Sequence, residues 1–241
     1  MRRPLLFTLL FTLPLSPACD GDPSKEADEG VTYRDGSEGG PTSGERGSVK
    51  ITEVLWSGAV RGDSDRDQRD IFIEIRNESA RGINLSGWRL DIEGPAANTL
   101  RIPDNDVVLE TGEHLIIAAT NARCFPDAEI VMPELRLPDG DPFSITLMDA
   151  DERLIEGVGN AEALPFAGGW DYVHSRSMER VELMFGGEGF FPQAWHFYTP
   201  AAVDVPNNDR IAPDCAAHTL ASPGRPNSPD YSGAYASGSL E

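Results

Sequence analysis

Lysine is almost missing from this chain: Lys25 and Lys50 are its only two. The arginines are scattered among acids, and 20 basic against 40 acidic residues leave a formal charge of -20. A nucleic-acid surface needs a basic stripe that neutralises phosphates and releases counterions, and none can be drawn here. Self-repulsion on this scale favours solubility and turns away anionic partners, so no nucleic-acid partner is expected. The plain reading of the excess is a solvated acidic surface; the sharper one is a cation-binding surface. Catalytic signatures are missing as well. There is no His-Glu-x-x-His, no paired Cys-x-x-Cys, no Gly-x-Ser-x-Gly and no phosphate-cradling loop. The four histidines, His114, His174, His196 and His218, are dispersed. No enzymatic activity, catalytic residue, metal or cofactor is expected.

Long hydrophobic runs are scarce. The longest, Leu5 to Leu15, is too short for a bilayer core, which takes roughly 20 residues. Behind the positive Met1-Arg2-Arg3 it has the size and flanks of a signal-peptide core. The segment ends in Leu15-Ser16-Pro17-Ala18-Cys19, which resembles a bacterial lipobox. That resemblance implies diacylation of Cys19 as the new N-terminus and a place in the cell envelope, facing the periplasm or the cell surface. Ser16 and Ala18 equally suit ordinary signal peptidase, which would secrete the chain without an anchor. Acyl chains add about 0.8 kcal/mol per buried methylene, so several together hold a protein on a membrane.

Residues 20–47 are nearly devoid of apolar side chains and rich in Gly, Pro, Ser and acids. Such a segment cannot offset its ordering entropy. It is expected to be a disordered acidic tether with a reach of about 30 Å. From Val49 the texture changes. Ile71, Ile73 and Ile75 alternate at period two, as do Trp88, Leu90 and Ile92, and Phe143, Ile145 and Leu147. His114 to Ala119 is a short apolar run that suits a buried strand, and Asp149-Ala150-Asp151-Glu152 reads as a hairpin turn before Leu154-Ile155. Val181 with Leu183, and Trp195 with Phe197, are later strand candidates. Short strands punctuated by Gly, Pro, Asn and Asp predict an all-β sandwich. Residues 120–140 and 157–176 lack a clear period and are expected to be long inserted loops. The tail, residues 229–241, reads as flexible.

The order of several short motifs is more specific. Val49-Lys50-Ile51-Thr52-Glu53-Val54, Asp70-Ile71-Phe72-Ile73-Glu74-Ile75-Arg76-Asn77 and Leu85-Ser86-Gly87-Trp88-Arg89-Leu90 follow one another. Val108 to Leu115, Asp139 to Leu147, Ser177 to Val181, Trp195 and Ser222-Pro223-Gly224-Arg225-Pro226-Asn227 come after them. Together they resemble the lamin tail domain over residues 48–228. The resemblance implies an immunoglobulin-like β-sandwich, one that in exported bacterial proteins looks like a targeting or adhesion module. The residues carry their own reasons. Trp88 would anchor two sheets, Gly87 would allow a close approach or a bulge, and Pro223-Gly224 suits a type II turn. Glu74 is expected to meet an arginine or backbone donors and to have no catalytic role.

Cys124 and Cys215 form an even remainder once Cys19 is set aside, which in an exported protein favours a disulfide. Asp63, Asp65 and Asp67, with Glu74 behind them, mimic calcium-loop spacing. Gln68 stands where that loop needs Gly, however, and a strand follows where it needs a helix. The expected function is a non-catalytic binding or scaffolding module on a lipid anchor, contacting protein or envelope glycan through its long loops. The alternatives are a calcium-dependent adhesion module and a cryptic hydrolase assembled from the loops.

Overall fold

Alternation at period two decides the architecture. The structure, a computed structural model, describes residues 42–104, 107–181, 189–200 and 208–230. The leader 1–19 with Cys19, residues 20–41 of the expected tether, Leu183 and the tail beyond 230 lie outside the described residues.

The first strands are β1 (Val49–Leu55), β2 (Ala59–Arg61), β3 (Asp65–Asp67), β4 (Phe72–Asn77) and β5 (Ile83–Asn84). Next come β6 (Arg89–Glu93), β7 (Asn98–Arg101), β8 (Val108–Leu109), β9 (His114–Ala118) and β10 (Ile130–Val131). Then follow β11 (Phe143–Met148), β12 (Leu154–Asn160), β13 (Gly169–Trp170) and β14 (Ser175–Arg176). The last are β15 (Met178–Arg180), β16 (Trp195–Phe197) and β17 (Thr219–Leu220). One sheet has the order β10-β9-β4-β1-β15-β16 and the other β12-β11-β6-β7. Small ribbons β2-β3, β5-β8 and β13-β14-β17 decorate them. The protein is all-β, a two-sheet sandwich with long loop insertions.

Between the sheets, Ile51, Ile73, Ile75, Leu115 and Ile117 meet Leu90, Ile92, Ile145, Leu147 and Ile155. Trp88 is fully buried among them. Gly87 beside it serves a turn, not the close approach or bulge expected of it. Its φ is +77° and the Trp88 N–H donates to the Leu85 carbonyl across it at 3.1 Å. The hairpin at 149–152 forms as expected, capped by the Asp149 carboxylate, which accepts the Asp151 and Arg153 N–H groups.

The boundary at residue 48 is too late. The Trp88 indole N–H donates to the Thr42 carbonyl at 2.6 Å, and the Gly44 N–H donates to Asp149 at 3.0 Å. Ser43 and Gly44 are buried. A segment poor in apolar residues is held here by hydrogen bonds, one of which satisfies the buried Trp88 indole N–H. Trp88→Phe removes the indole donor and leaves a small void. It is expected to cost about 1–3 kcal/mol in urea unfolding; an unchanged midpoint would detach residues 42–47 from the fold's stability.

The six-stranded sheet is covered on both faces. In β1 the register shifts between Ile51 and Glu53, so Thr52 is a bulge residue. The bulge sends Val49, Ile51 and Val54 inward and turns Glu53 and Leu55 outward. On that outer face Leu55, Phe72, Ile116 and Ala118 join Phe125, Ile211, Ala221 and the two cysteines in a second apolar cluster. Phe72 and Phe125 meet edge to face with centroids 4.7 Å apart. The disulfide Cys124–Cys215 forms as expected, with Cα atoms 5.6 Å apart. It ties the loop after β9 to the segment before β17. Part of the 120–140 loop is thus a lid over a sheet face. Of the 157–176 region, 157–160 continues β12, while β13 and β14 form a hairpin.

Candidate functional site

Two assemblies of functional side chains stand out, one sealed and one open. The sealed one lies on the outer face of the six-stranded sheet. Glu53 pairs across the ladder with both Glu74 and Glu179, and Glu179 pairs with His196, so four ionisable side chains follow one line across neighbouring strands. All are buried. The closing segment 222–228 lies over them and supplies donors. The Ser222 N–H donates to Glu53 at 2.8 Å, and the Gly224 N–H donates to Glu74. The Ser222 and Ser228 hydroxyls and the Ser228 N–H all donate to Glu179. Gly224 (φ +74°) makes this possible, since the Arg225 N–H to Ser222 carbonyl bond at 3.1 Å closes the expected Pro-Gly turn.

Glu74 therefore meets a backbone donor, as expected, and beside it the Thr52 hydroxyl at 2.7 Å and His114 Nδ1 at 2.7 Å. Burial holds the Glu53 carboxyl well above its ordinary range, and the neighbouring Glu179 and Glu74 charges push the same way. Burial raises Glu179 too, against the opposing hydroxyls of Ser222 and Ser228. Serine, glutamate and histidine meet here without the order of a hydrolytic triad, in which the imidazole stands between hydroxyl and acid. Both hydroxyls donate straight to Glu179, and His196 Nδ1 donates to the Phe197 carbonyl at 2.9 Å.

The calcium-like spacing does not converge. Asp65 and Asp67 sit on the β2-β3 hairpin and share the Arg123 guanidinium at 3.0 and 3.7 Å, whereas Glu74 is sealed under the closing segment. Asp63 is fully exposed, 3.9 Å from His218. Among the described residues no group of three or more His, Cys, Asp or Glu is arranged to hold a metal ion. Asp70, outside the predicted set, is buried beside the disulfide. Its Oδ2 accepts the Cys124 N–H at 3.1 Å, and burial pushes its carboxyl up to about 6.

The open assembly is a cleft of about 610 Å³ whose apolar lining is Trp56, Trp170 and Phe197. It draws on residues far apart in sequence: Trp56 just after β1, the β13-β14 hairpin, and β16. Trp56 is fixed by its indole N–H on the Ala167 carbonyl at 2.8 Å. Trp170 keeps 38% of its surface exposed and Phe197 46%. The Arg66 guanidinium lies 4.4 Å from the Trp170 ring centroid. Tyr172, 84% exposed, has its ring 4.9 Å from that of Trp170. Its φ of +72° is unusual for a bulky side chain and strains the hairpin tip. The Asp171 carboxylate accepts the His174 and Val173 N–H groups at 2.6 and 3.0 Å, which holds its carboxyl below the ordinary range. Arg176 Nη2 stands 4.0 Å from Asp171 Oδ2.

Neither the aromatic cleft nor the carboxylate line was among the expected sites. The signal for the cleft was Trp170-Asp171-Tyr172-Val173-His174 itself, a dense aromatic and polar run in a glycine-flanked loop. The signal for the line was glutamate beside apolar strand residues, Glu53 next to Val54, Glu74 between Ile73 and Ile75, and Glu179 next to Met178.

No family model matches the chain, and no curated protein is similar to it in sequence. Among solved structures, a DUF4876 family protein from Bacteroides thetaiotaomicron is similar, with a TM-score of 0.41 and 13% identity over 64% of this chain and 69% of that one.

Proposed function

We propose that the chain is a non-catalytic binding module, held in the bacterial envelope by acyl chains on Cys19, with the aromatic cleft as its working surface. The observation that carries this reading is where the protein leaves its side chains. Groups suited to proton transfer are bonded to the protein's own closing segment, under cover. Large aromatic side chains that a core would gain from burying stand in solvent around a cleft. A strained tyrosine at a hairpin tip fits the same pattern, because strain persists where presentation of a side chain outweighs its cost. The motif order that resembles the lamin tail domain belongs to this proposal. In it the sandwich is a scaffold, and the loops at its edge carry recognition.

The anchor is tested by fractionation. The wild-type chain is expected in the membrane fraction, extracted by detergent and not by salt, with Cys19→Ala in the soluble exported fraction. Wild-type protein that is soluble from the outset would leave secretion without an anchor as the reading.

A further inference from the structure

We infer that the cleft between Trp56, Trp170 and Phe197 is a carbohydrate site for a neutral oligosaccharide, one pyranose ring lying on the aromatic lining and one hydroxyl bridging Asp171 and Arg176. The inference deepens the binding-module reading and rests on it.

The lining combines two chemistries that few ligands satisfy together. Trp170 and Phe197 offer partly exposed rings beside the largely buried Trp56, and ring faces carry negative charge density, which attracts polarised C–H groups. A pyranose presents such groups on its faces and hydroxyls around its edge. At the polar side of the cleft, Asp171 and Arg176 stand 4.0 Å apart, beyond hydrogen-bond distance. Their side chains are half and one-third exposed, so each can take a further partner. A hydroxyl both donates and accepts. Placed in that gap, it donates to the carboxylate and accepts from the guanidinium, both charge-assisted bonds.

Other occupants fit less well. An apolar peptide would cover Asp171 and Arg176 without giving either a partner, which is costly for charged groups. A polyanion would meet a chain of net charge -20. A neutral sugar meets neither penalty. The volume, about 610 Å³, falls among ordinary ligand clefts of roughly 300–1,000 Å³ and has room for more than one ring. Tyr172, against Trp170 at the hairpin tip, extends the aromatic surface toward a second ring.

The test uses the full chain in detergent, titrated with hexasaccharides of β-1,4-glucose, α-1,4-glucose and β-1,4-N-acetylglucosamine while tryptophan fluorescence is read. At least one series is expected to perturb the emission saturably. Trp170→Ala should weaken that binding about tenfold or more. Asp171→Asn keeps an acceptor for the Val173 and His174 N–H groups, so the hairpin stays formed, and should weaken binding severalfold. Tyr172→Gly separates binding from folding. It relieves the positive φ and should raise Tm by about 2–4 °C while lowering affinity.

Three outcomes overturn the sugar site. If no saccharide acts, yet Trp170→Ala abolishes retention on immobilised, deglycosylated envelope proteins, the binding face stands with a protein as its partner. A concentration-dependent sedimentation shift that Trp170→Ala removes would make the occupant a second copy of this chain. If Trp170→Ala changes none of these readouts, the binding-module reading falls with the sugar.

Discussion

Reducing the Cys124–Cys215 disulfide is expected to lower the stability of the domain by about 4–5 kcal/mol in the chain-entropy account. The cysteines are 91 residues apart, so the bridge removes a large loop from the unfolded ensemble. Domains of this kind hold only about 5–15 kcal/mol in total, so the loss is a large fraction. The folded side responds as well. Cys124 and Cys215 sit in the apolar cluster with Phe72 and Phe125, which a pair of thiols would still fill. What changes is the freedom of the segment that follows. The Thr219 N–H donates to the Cys215 carbonyl at 2.8 Å, and β17 then pairs with β14, where the Ser175 N–H donates to the His218 carbonyl. That chain of bonds leads from the bridge to the hairpin of Trp170 and Tyr172. Urea unfolding of the Cys124→Ser, Cys215→Ser variant should therefore show a lower midpoint, and ligand titration a weaker cleft. A midpoint equal to that of the oxidised protein would mean that the outer cluster holds the lid without its covalent tie.

Much of the sandwich was readable from side-chain period, and the reasons it stopped being readable are specific. Ile71, Ile73 and Ile75 recur at period two because they share the face that meets the opposite sheet, while the covered outer face holds Phe72 and the polar Glu74; Phe143, Ile145 and Leu147 in β11 likewise face inward. The run Leu115-Ile116-Ile117-Ala118 does not alternate because both of its faces are covered, one by the other sheet and one by the disulfide-bonded lid. The bulge at Thr52 left no mark in the sequence, since Glu53 is buried like its neighbours but on the opposite face. Residues 42–47 read as tether because nothing in them is apolar; their docking rests on the Trp88 and Asp149 hydrogen bonds, partners about 45 and 105 positions away. β13, β14 and β17 are two residues long, too short to show a period. The cleft they help to build gathers Trp56, Trp170 and Phe197 from separate parts of the chain, so its residues could be noticed singly but not as a site. The Cys124–Cys215 pairing was legible for the opposite reason: once Cys19 is assigned to the anchor, two cysteines leave one bridge.

Lowering the pH from 8 to about 5 is expected to stabilise the domain, the reverse of ordinary acid denaturation. Burial raises the carboxyl groups of Glu53, Glu179 and Asp70 above their ordinary values. A group of this kind holds its proton more tightly folded than unfolded. Its contribution is complete below the unfolded value, 4.5 for Glu and 3.8 for Asp, and is lost as pH rises through the folded value. For Asp70 that window closes at about 6, and Glu53 and Glu179, raised by burial, act in the same direction. Within the window each extra proton held by the folded state changes stability by about 1.4 kcal/mol per pH unit. Asp171 is shifted the other way, and its contribution is lost only below 3.8, outside this range. Relief of the -20 net charge acts in the same direction as the buried acids, so the slope alone does not identify them. Glu53→Gln does. It changes the net charge by one, keeps an oxygen to accept the Ser222 N–H, and puts an amide in place of the buried Oε2, near the Ser177 hydroxyl and cross-strand from Glu179. Thermal melts should place the variant above the wild type at pH 8, with a shallower rise on acidification, the two curves converging near pH 4.5. Parallel curves with the wild-type slope intact would remove Glu53 as the source and leave overall charge in its place.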